Sequence, residues 1–410
     1  MEGGARPRQP ARDGGATAAA RIGASLRTPL AALAGAVFAM HIGMGMQATA
    51  YTNFAVQDLH ISAAQLGLVE AIRESSGLLC FLVIGLAARL ALQRLATFAL
   101  ALEGAGMILL GFAHGIPSLI VASFVWGVGF HTFAPISPSL TLRLGGDHAQ
   151  RAGLLGRLSG LSSVAGPIGT FAVLALVPLL GLRGVFAPAG AFCLVGALCM
   201  LGVRSQEHGQ RPRFVVRRRY LPYYVLTLVD GARKQILITF VVFAVVSVYH
   251  ASVVTVGLFL LASSVLTTAA APYVGRLITR YGERAVLAVS SALLIPIFIG
   301  YGLARSEAVM IALYIVDNAI FTSNVALTTW VSRTAPPEDV PATLAAGTTT
   351  NHVSSVLVPL VAGFLWTVVG YHAIFIGAAG IAVLSLVLTL RLVPGRDRAE
   401  PAAAPLVLAE

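Results

Sequence analysis

Two short stretches hold the residues most able to do chemistry. VDGARKQIL at 229–237 places Asp230, Arg233 and Lys234 inside an otherwise apolar run, LPYYVLTLVDGARKQILITFVVFAVVSVY. VEAIRESSG at 69–77 places Glu70, Arg73 and Glu74 inside another. Spacings of three and four residues put each set on one helical face. At ~1.5 Å per residue, Asp230 lies about 14 Å and Lys234 about 20 Å from a helix start at 221, and Glu70 about 12 Å from the opposite end of its own helix. All are near the middle of a ~30 Å hydrocarbon core, where a charge costs several kcal/mol and marks a substrate path, a proton relay or a structural pair. Arginine stays charged and grips a carboxylate or phosphate with its fork, whereas lysine can be driven toward neutrality by burial. Lys234 is the only lysine in the chain. The simplest local accounts have Asp230 neutralise Arg233 or Lys234 within its own helix, Lys234 being one turn away, and pair Arg73 with Glu70 and Glu74.

Other polar residues at membrane depth extend the set: His41, Gln47, Glu103, His131, Asp317, Asn318, Asn324, Asn351 and His352. Five acids stand there against three bases, two charges short of neutral, so a proton or a bound cation is expected. A carboxyl that takes and releases a proton as access alternates is a coupling device. Asp317, with no basic residue within a turn in sequence, is the first candidate. Glu74, Asp230 and Glu70 follow. Expected solute contacts are His41, Gln47, His131, Asp230, Arg233, Lys234, Asn318 and Asn324. No phosphate loop, metal-ligand spacing or nucleophile elbow is present, so neither an enzyme nor a cofactor or metal is expected. Cys80, Cys193 and Cys199 have no paired spacing.

The elements that must position these residues are membrane helices. Of the 410 residues, 57% are hydrophobic and 11% charged, against about 25% charged in soluble domains. Twelve spans are predicted near 30–57, 62–85, 95–114, 117–141, 153–180, 184–202, 221–248, 252–274, 284–304, 307–331, 341–368 and 371–393. With both termini in the cytoplasm, 23 of the 28 basic residues fall on the cytoplasmic side and two, Arg183 and Arg305, on the other. That bias accounts for the +11 charge without nucleic acid. The expected organisation is a disordered tail over 1–28, a six-helix bundle over 29–202, a basic linker over 203–220, a second bundle over 221–393 and a tail over 394–410.

The halves repeat. LHISAAQLGL at 59–68 aligns with YHASVVTVGL at 249–258, an offset of 190 that also carries Gly85 onto Gly275 and Arg94 onto Arg284. GLRGVF at 181–186 aligns with GYHAIF at 370–375 at an offset of 189. Parallel repeats place a substrate path between two bundles. The charges break the repeat: Asp230 aligns with Met40, Lys234 with Met44 and Glu70 with Leu260.

GRLITRYGERA at 275–285 resembles the loop motif, roughly G-x-x-x-D-R-x-G-x-R-R, between the second and third helices of each half in the major facilitator superfamily. Gly275, Arg280, Gly282 and Arg284 match, and Thr279 stands where the acid is expected. The first copy, GLAARLALQRL at 85–95, keeps Gly85 and Arg94, with Arg89 and Leu92 replacing the acid and the glycine. Through Gly166 and Pro167, GPIG at 166–169 resembles the Gly-Pro bend of that superfamily's antiporters. The resemblance implies an all-α protein of two six-helix bundles that rock about a central site, with helices one, four, seven and ten lining the cavity. It implies a motif that latches one conformation, here without its acid. The leading expectation is proton-coupled export, by antiport, of a small organic solute. Arg233 and Lys234 on one cavity helix support instead the symport of a small organic anion. A non-transporting sensor on the same scaffold is the third reading. The expected setting is the bacterial cytoplasmic membrane, with a monomer whose partners are solute, protons and lipid.

Overall fold

A computed structural model of the chain describes residues 29–86, 90–144, 148–203, 217–336 and 339–395, with the side chains of 80–86, 148, 149 and 152 excepted. Helices α1 to α6 are Pro29–Asp58, Ala63–Leu86, Leu92–Gly111, Ile116–Leu144, His148–Gly184 and Phe186–Met200. The second half follows with α7 (218–247), α8 (Val253–Tyr281), α9 (Glu283–Leu303), α10 (Glu307–Thr334), α11 (340–369) and α12 (371–392). No strand occurs among the described residues. Eight segments are long and apolar enough to cross a membrane, one of them, Val340–Leu392, holding both α11 and α12. Phe186–Met200 is apolar but shorter. The two long helices outside that set, α2 and α7, are those with a charged triplet clustered at mid-helix, Glu70, Arg73 and Glu74 in one and Asp230, Arg233 and Lys234 in the other. The expected tails and most of the expected linker, 1–28, 204–216 and 396–410, lie outside the described residues.

Backbone geometry reproduces the sequence repeat. His60 and His250, 190 residues apart, both adopt left-handed φ, at 52° and 58°. Two residues later Ser62 and Ser252 each accept the amide of the residue three further on, opening α2 and α8 with the same serine cap. Gly181 and Gly370, 189 apart, take φ of 68° and 81°, a region nearly closed to side-chain-bearing residues, and break the helix at matching points. Helix ends differ from expectation mainly where the chain leaves the apolar run. α8 was expected to end near 274 and continues through Arg276 and Arg280 to Gly282, whose φ of 82° stops it.

Within the first half, α1 packs on α5 and α6, and α3 on α4 and α6. α7 packs on α11, and α9 on α12. The halves meet at the end holding the 58–63 and 247–253 turns. There Asn53 donates to the Ala251 carbonyl at 2.8 Å, and Leu174 of α5 packs against Gly257 of α8. Trp366 joins the buried cores of both halves. α2 and α11 cross so closely that a Cβ at Gly67 would collide with the Pro359 carbonyl. Cys193 and Cys199 are free thiols.

Candidate functional site

α7 starts with Pro222 in its first turn, where a missing N–H is tolerated, and its apolar run carries the charges to mid-helix. Arg233 is 5% exposed and its guanidinium is shared. Nη1 donates to Asp317 Oδ1 of α10 at 3.0 Å, and Nη2 donates to Asp230 Oδ1 at 3.2 Å. Asn324 donates to the same Asp230 oxygen at 2.6 Å. The Tyr301 hydroxyl of α9 donates to Asp317 Oδ2 at 3.4 Å, and the Phe321 ring lies under the guanidinium. Asp317 is completely buried. Both helices depart from α-geometry here: α7 has a π-helical segment at Ile236–Val241 and α10 a tight turn at Thr322–Asn324, departures common at functional sites. A cavity lined by Asp230, Arg233, Ser290, Ser291, Ser323 and Asn324 lies beside the cluster.

The first half holds a second shared arginine. Arg73 on α2 is bonded to Glu70 Oε2 at 2.5 Å and Glu74 Oε1 at 2.7 Å, and it stacks on Trp126 of α4. Glu74 Oε2 faces two imidazoles: His352 Nδ1 of α11 at 3.3 Å and His131 Nε2 of α4 at 3.9 Å. His352 fits because α2 offers Gly77, where a Cβ would lie 2.5 Å from its ring. Glu74–His352 is thus a hydrogen-bonding contact between the two halves. Lys234 bridges the clusters spatially, its Nζ donating to Asn351 Oδ1 at 2.9 Å, one residue before His352.

One expectation is corrected. Of the two partners open to Asp230 in its own helix it takes Arg233 and not Lys234: Arg233 and Asn324 occupy its oxygen, and Lys234 reaches across to α11, with no carboxylate within 4 Å among the described residues. Asp317, with no basic residue within a turn in sequence, receives Arg233 from another helix. Glu103 is 0% exposed inside the first half, with no arginine or lysine within 4 Å among the described residues.

The remaining predicted residues lie apart from the clusters. His41 bonds the Val37 carbonyl of its own helix at 2.8 Å, and Gln47 is buried on α1. Asn318 donates to Ser263 of α8. Gly166 opens the GPIG stretch at a close α1–α5 crossing, where a Cβ at Gly45 would meet its carbonyl, and Pro167 follows inside α5. Sequence reasoning did not assign His352, Asn351 or Tyr301 a role in the site. His352 and Asn351 were visible as polar residues at membrane depth, and only the cross-half packing gives them partners.

The loop motif is built differently from its expected acid-based form. Thr279 bonds the Gly275 carbonyl, Arg280 stacks on Tyr281, and Arg284 donates to the Leu390 carbonyl at 2.7 Å. The charge pair at this face comes from Glu283, which accepts two hydrogen bonds from Arg333 at 3.1 and 2.8 Å. Nearby, Asp339 binds Arg217, Arg219 and the Tyr220 hydroxyl, tying the start of α7 to the start of α11. Burial pushes the Asp339 carboxyl up, but the Tyr220 hydrogen bond and the two arginines outweigh it and hold it below the usual carboxylate range. Arg94 is exposed at the start of α3. Gly85 falls where side chains are not described, and Arg89 lies outside the described residues.

No curated protein matches the chain in sequence. Solved structures resemble it in fold. The nucleoside transporter NupG superposes with a TM-score of 0.71 at 12% identity, over 89% of this chain and 99% of that one. A bacterial homologue of the human lysosomal transporter Spinster, inward-facing and occupied, gives 0.73 at 15% identity, over 91% and 98%. A POT family transporter in complex with 5-aminolevulinic acid gives 0.72 at 13% identity, over 88% and 95%. The profile of the Major Facilitator Superfamily matches residues 33–244 and again 223–409, so the repeated halves, the all-helical architecture and the apolar spans are those of a multi-pass membrane protein that belongs to this superfamily of solute transporters.

Proposed function

We propose that the protein is a proton-coupled secondary transporter that exports a small organic solute in exchange for protons. The observation that carries the reading is that each half clasps one arginine between two carboxylates at membrane depth. Each cluster is one negative charge in excess, and Lys234 offsets only one of the two. A buried excess charge is costly, so a proton or a cationic solute is drawn to these carboxylates. Two ligands that compete for one set of carboxylates cannot occupy it together, which is the requirement for exchange. Each arginine already faces two carboxylates, which disfavours an anion clamped by Arg233.

The arginine-rich loops support a chain with both termini in the cytoplasm of a bacterial inner membrane. On that orientation the end holding the 58–63 and 247–253 turns, where the halves touch, faces outward. Both halves of one chain supply the site, so a monomer suffices. The 29–202 and 221–393 bundles then rock about Glu74, Lys234 and Asp317.

The test is reconstitution in liposomes with an imposed pH gradient, screened with organic cations, carboxylates and phosphates. A gradient-driven flux of a cationic or neutral solute, abolished in Asp317→Asn and Glu74→Gln, is expected. A flux indifferent to the gradient overturns the reading. The second reading, symport of a small organic anion, is favoured by Lys234, a membrane-depth cation with no carboxylate within 4 Å among the described residues. It requires carboxylate or phosphate uptake that is lost in Lys234→Gln.

A further inference from the structure

Glu74 divides its carboxylate: Oε1 holds Arg73, while Oε2 turns toward His352 and His131. The three potential ligand atoms lie within 4.8 Å of one another. The two rings meet edge to face with centroids 4.6 Å apart. Around a tetrahedral ion with bonds of ~2.0–2.1 Å, donor atoms sit about 3.3 Å from one another. The Glu74–His352 separation of 3.3 Å already has that value, and the Glu74–His131 separation of 3.9 Å lies a little above it.

We infer that Glu74, His131 and His352 form a three-ligand site for a divalent transition-metal ion of the zinc and cobalt kind, spanning the two halves. Two imidazoles and one carboxylate select such ions over magnesium or calcium, which require oxygen ligands. Three protein ligands leave a fourth position for water. Arg73 supplies the outer contact that orients a ligating carboxylate, and Glu70 balances Arg73 in turn. The opposing charges are Arg73 and Lys234, each already engaged, by the two glutamates and by Asn351. Glu74 and His131 come from α2 and α4 and His352 from α11, so the ion pins the halves in the conformation described here. Protons compete with the ion for the imidazole nitrogens, so binding weakens as pH falls. The inference does not depend on the direction or coupling of transport, because its readout is binding by the purified chain.

The experiment titrates the metal-stripped full-length protein, in detergent or nanodiscs, with Co2+ and separately with Zn2+. One Co2+ per chain with the visible absorption of a four-coordinate ion is expected. It is lost in Glu74→Gln, His131→Ala and His352→Ala and retained in His114→Ala and His372→Ala. Zinc-edge X-ray absorption of the wild-type protein, which needs no variant to fold, should show two imidazole ligands. Failure to bind either ion, binding that survives loss of both His131 and His352, or a zinc shell with fewer than two imidazoles overturns the assignment.

Discussion

Replacing Arg233 with methionine isolates the cost of the shared arginine. Arg233 is 5% exposed and Asp317 is fully buried, so neither partner has solvent to fall back on. A unit charge pair near 4 Å is worth about 4 kcal/mol at an effective dielectric of ~20, and Arg233 serves two such pairs. Without it Asp317 keeps only the Tyr301 hydroxyl at 3.4 Å, and Asp230 keeps Asn324. Removing one member of a buried pair costs about 3–5 kcal/mol, because an uncompensated charge remains. Asp317→Asn removes less: Arg233 retains Asp230, and the amide still offers an oxygen to the guanidinium, so about 1–2 kcal/mol is expected. The order Arg233→Met well above Asp317→Asn is therefore set by which residue leaves a charge stranded. The double variant should cost less than the sum of the singles by about 2 kcal/mol, since the second change removes the charge the first one strands. Equilibrium unfolding of purified protein in mixed micelles, followed by helical circular dichroism, reads all three. A loss below about 0.5 kcal/mol for Arg233→Met, or strict additivity in the cycle, would refute the pairing.

Further consequences are local. Gly67→Leu places a side chain where α2 meets the Pro359 carbonyl of α11, so it should prise the halves apart at that end. Labelling of a single cysteine introduced at Leu66 should then rise. Gly370→Ala forces a side chain into φ of 81° at the α11–α12 break, costing about 1–2 kcal/mol and lowering the thermal midpoint, and Gly181→Ala should do the same at the matching break. Asp339→Asn should release the 217–221 segment, seen as faster amide hydrogen exchange at neutral pH. Because the folded Asp339 carboxyl sits below its usual range, the wild-type anchor is at full strength above about pH 4 and is lost only as pH falls through that lower value. Protection in the wild type should thus be level across neutral pH, and a loss between pH 6 and pH 7 would contradict the assignment.

The fold was legible because hydropathy and arginine placement are local properties. The repeat was legible because the same short turn recurs: His60 and His250 share a left-handed backbone, and Gly181 and Gly370 share a break, so even a 190-residue offset in sequence reports a backbone constraint. The partners were not legible, because partners at membrane depth are chosen by which helices touch. Within a helix, Arg73 could reach only Glu70 and Glu74, and it does so. In α7 the same reasoning offered Asp230 either Arg233 or Lys234, of which Arg233 is its partner, and missed Asn324, Asn351 and Asp317, each brought in by α10 or α11. Glu103 shows the same limit in reverse: no property of its neighbours in sequence says that α3 turns it into the core.

The distribution of base types follows from these contacts. Both arginines at membrane depth are held between two carboxylates of their own half, where a planar fork can serve two acceptors at once and permanent charge is useful. Lys234 has a different task. It stands where α7 meets α11, one residue from the histidine that faces Glu74, and it binds a neutral amide rather than a carboxylate. An ammonium held by Asn351 leaves Glu74 to Arg73 and the imidazoles, so the contact between the halves depends on groups that can lose or gain a proton. The helix-seven charges, absent from the matching positions Met40 and Met44, make the two halves unequal there, as Glu70, matched by Leu260, does on α2.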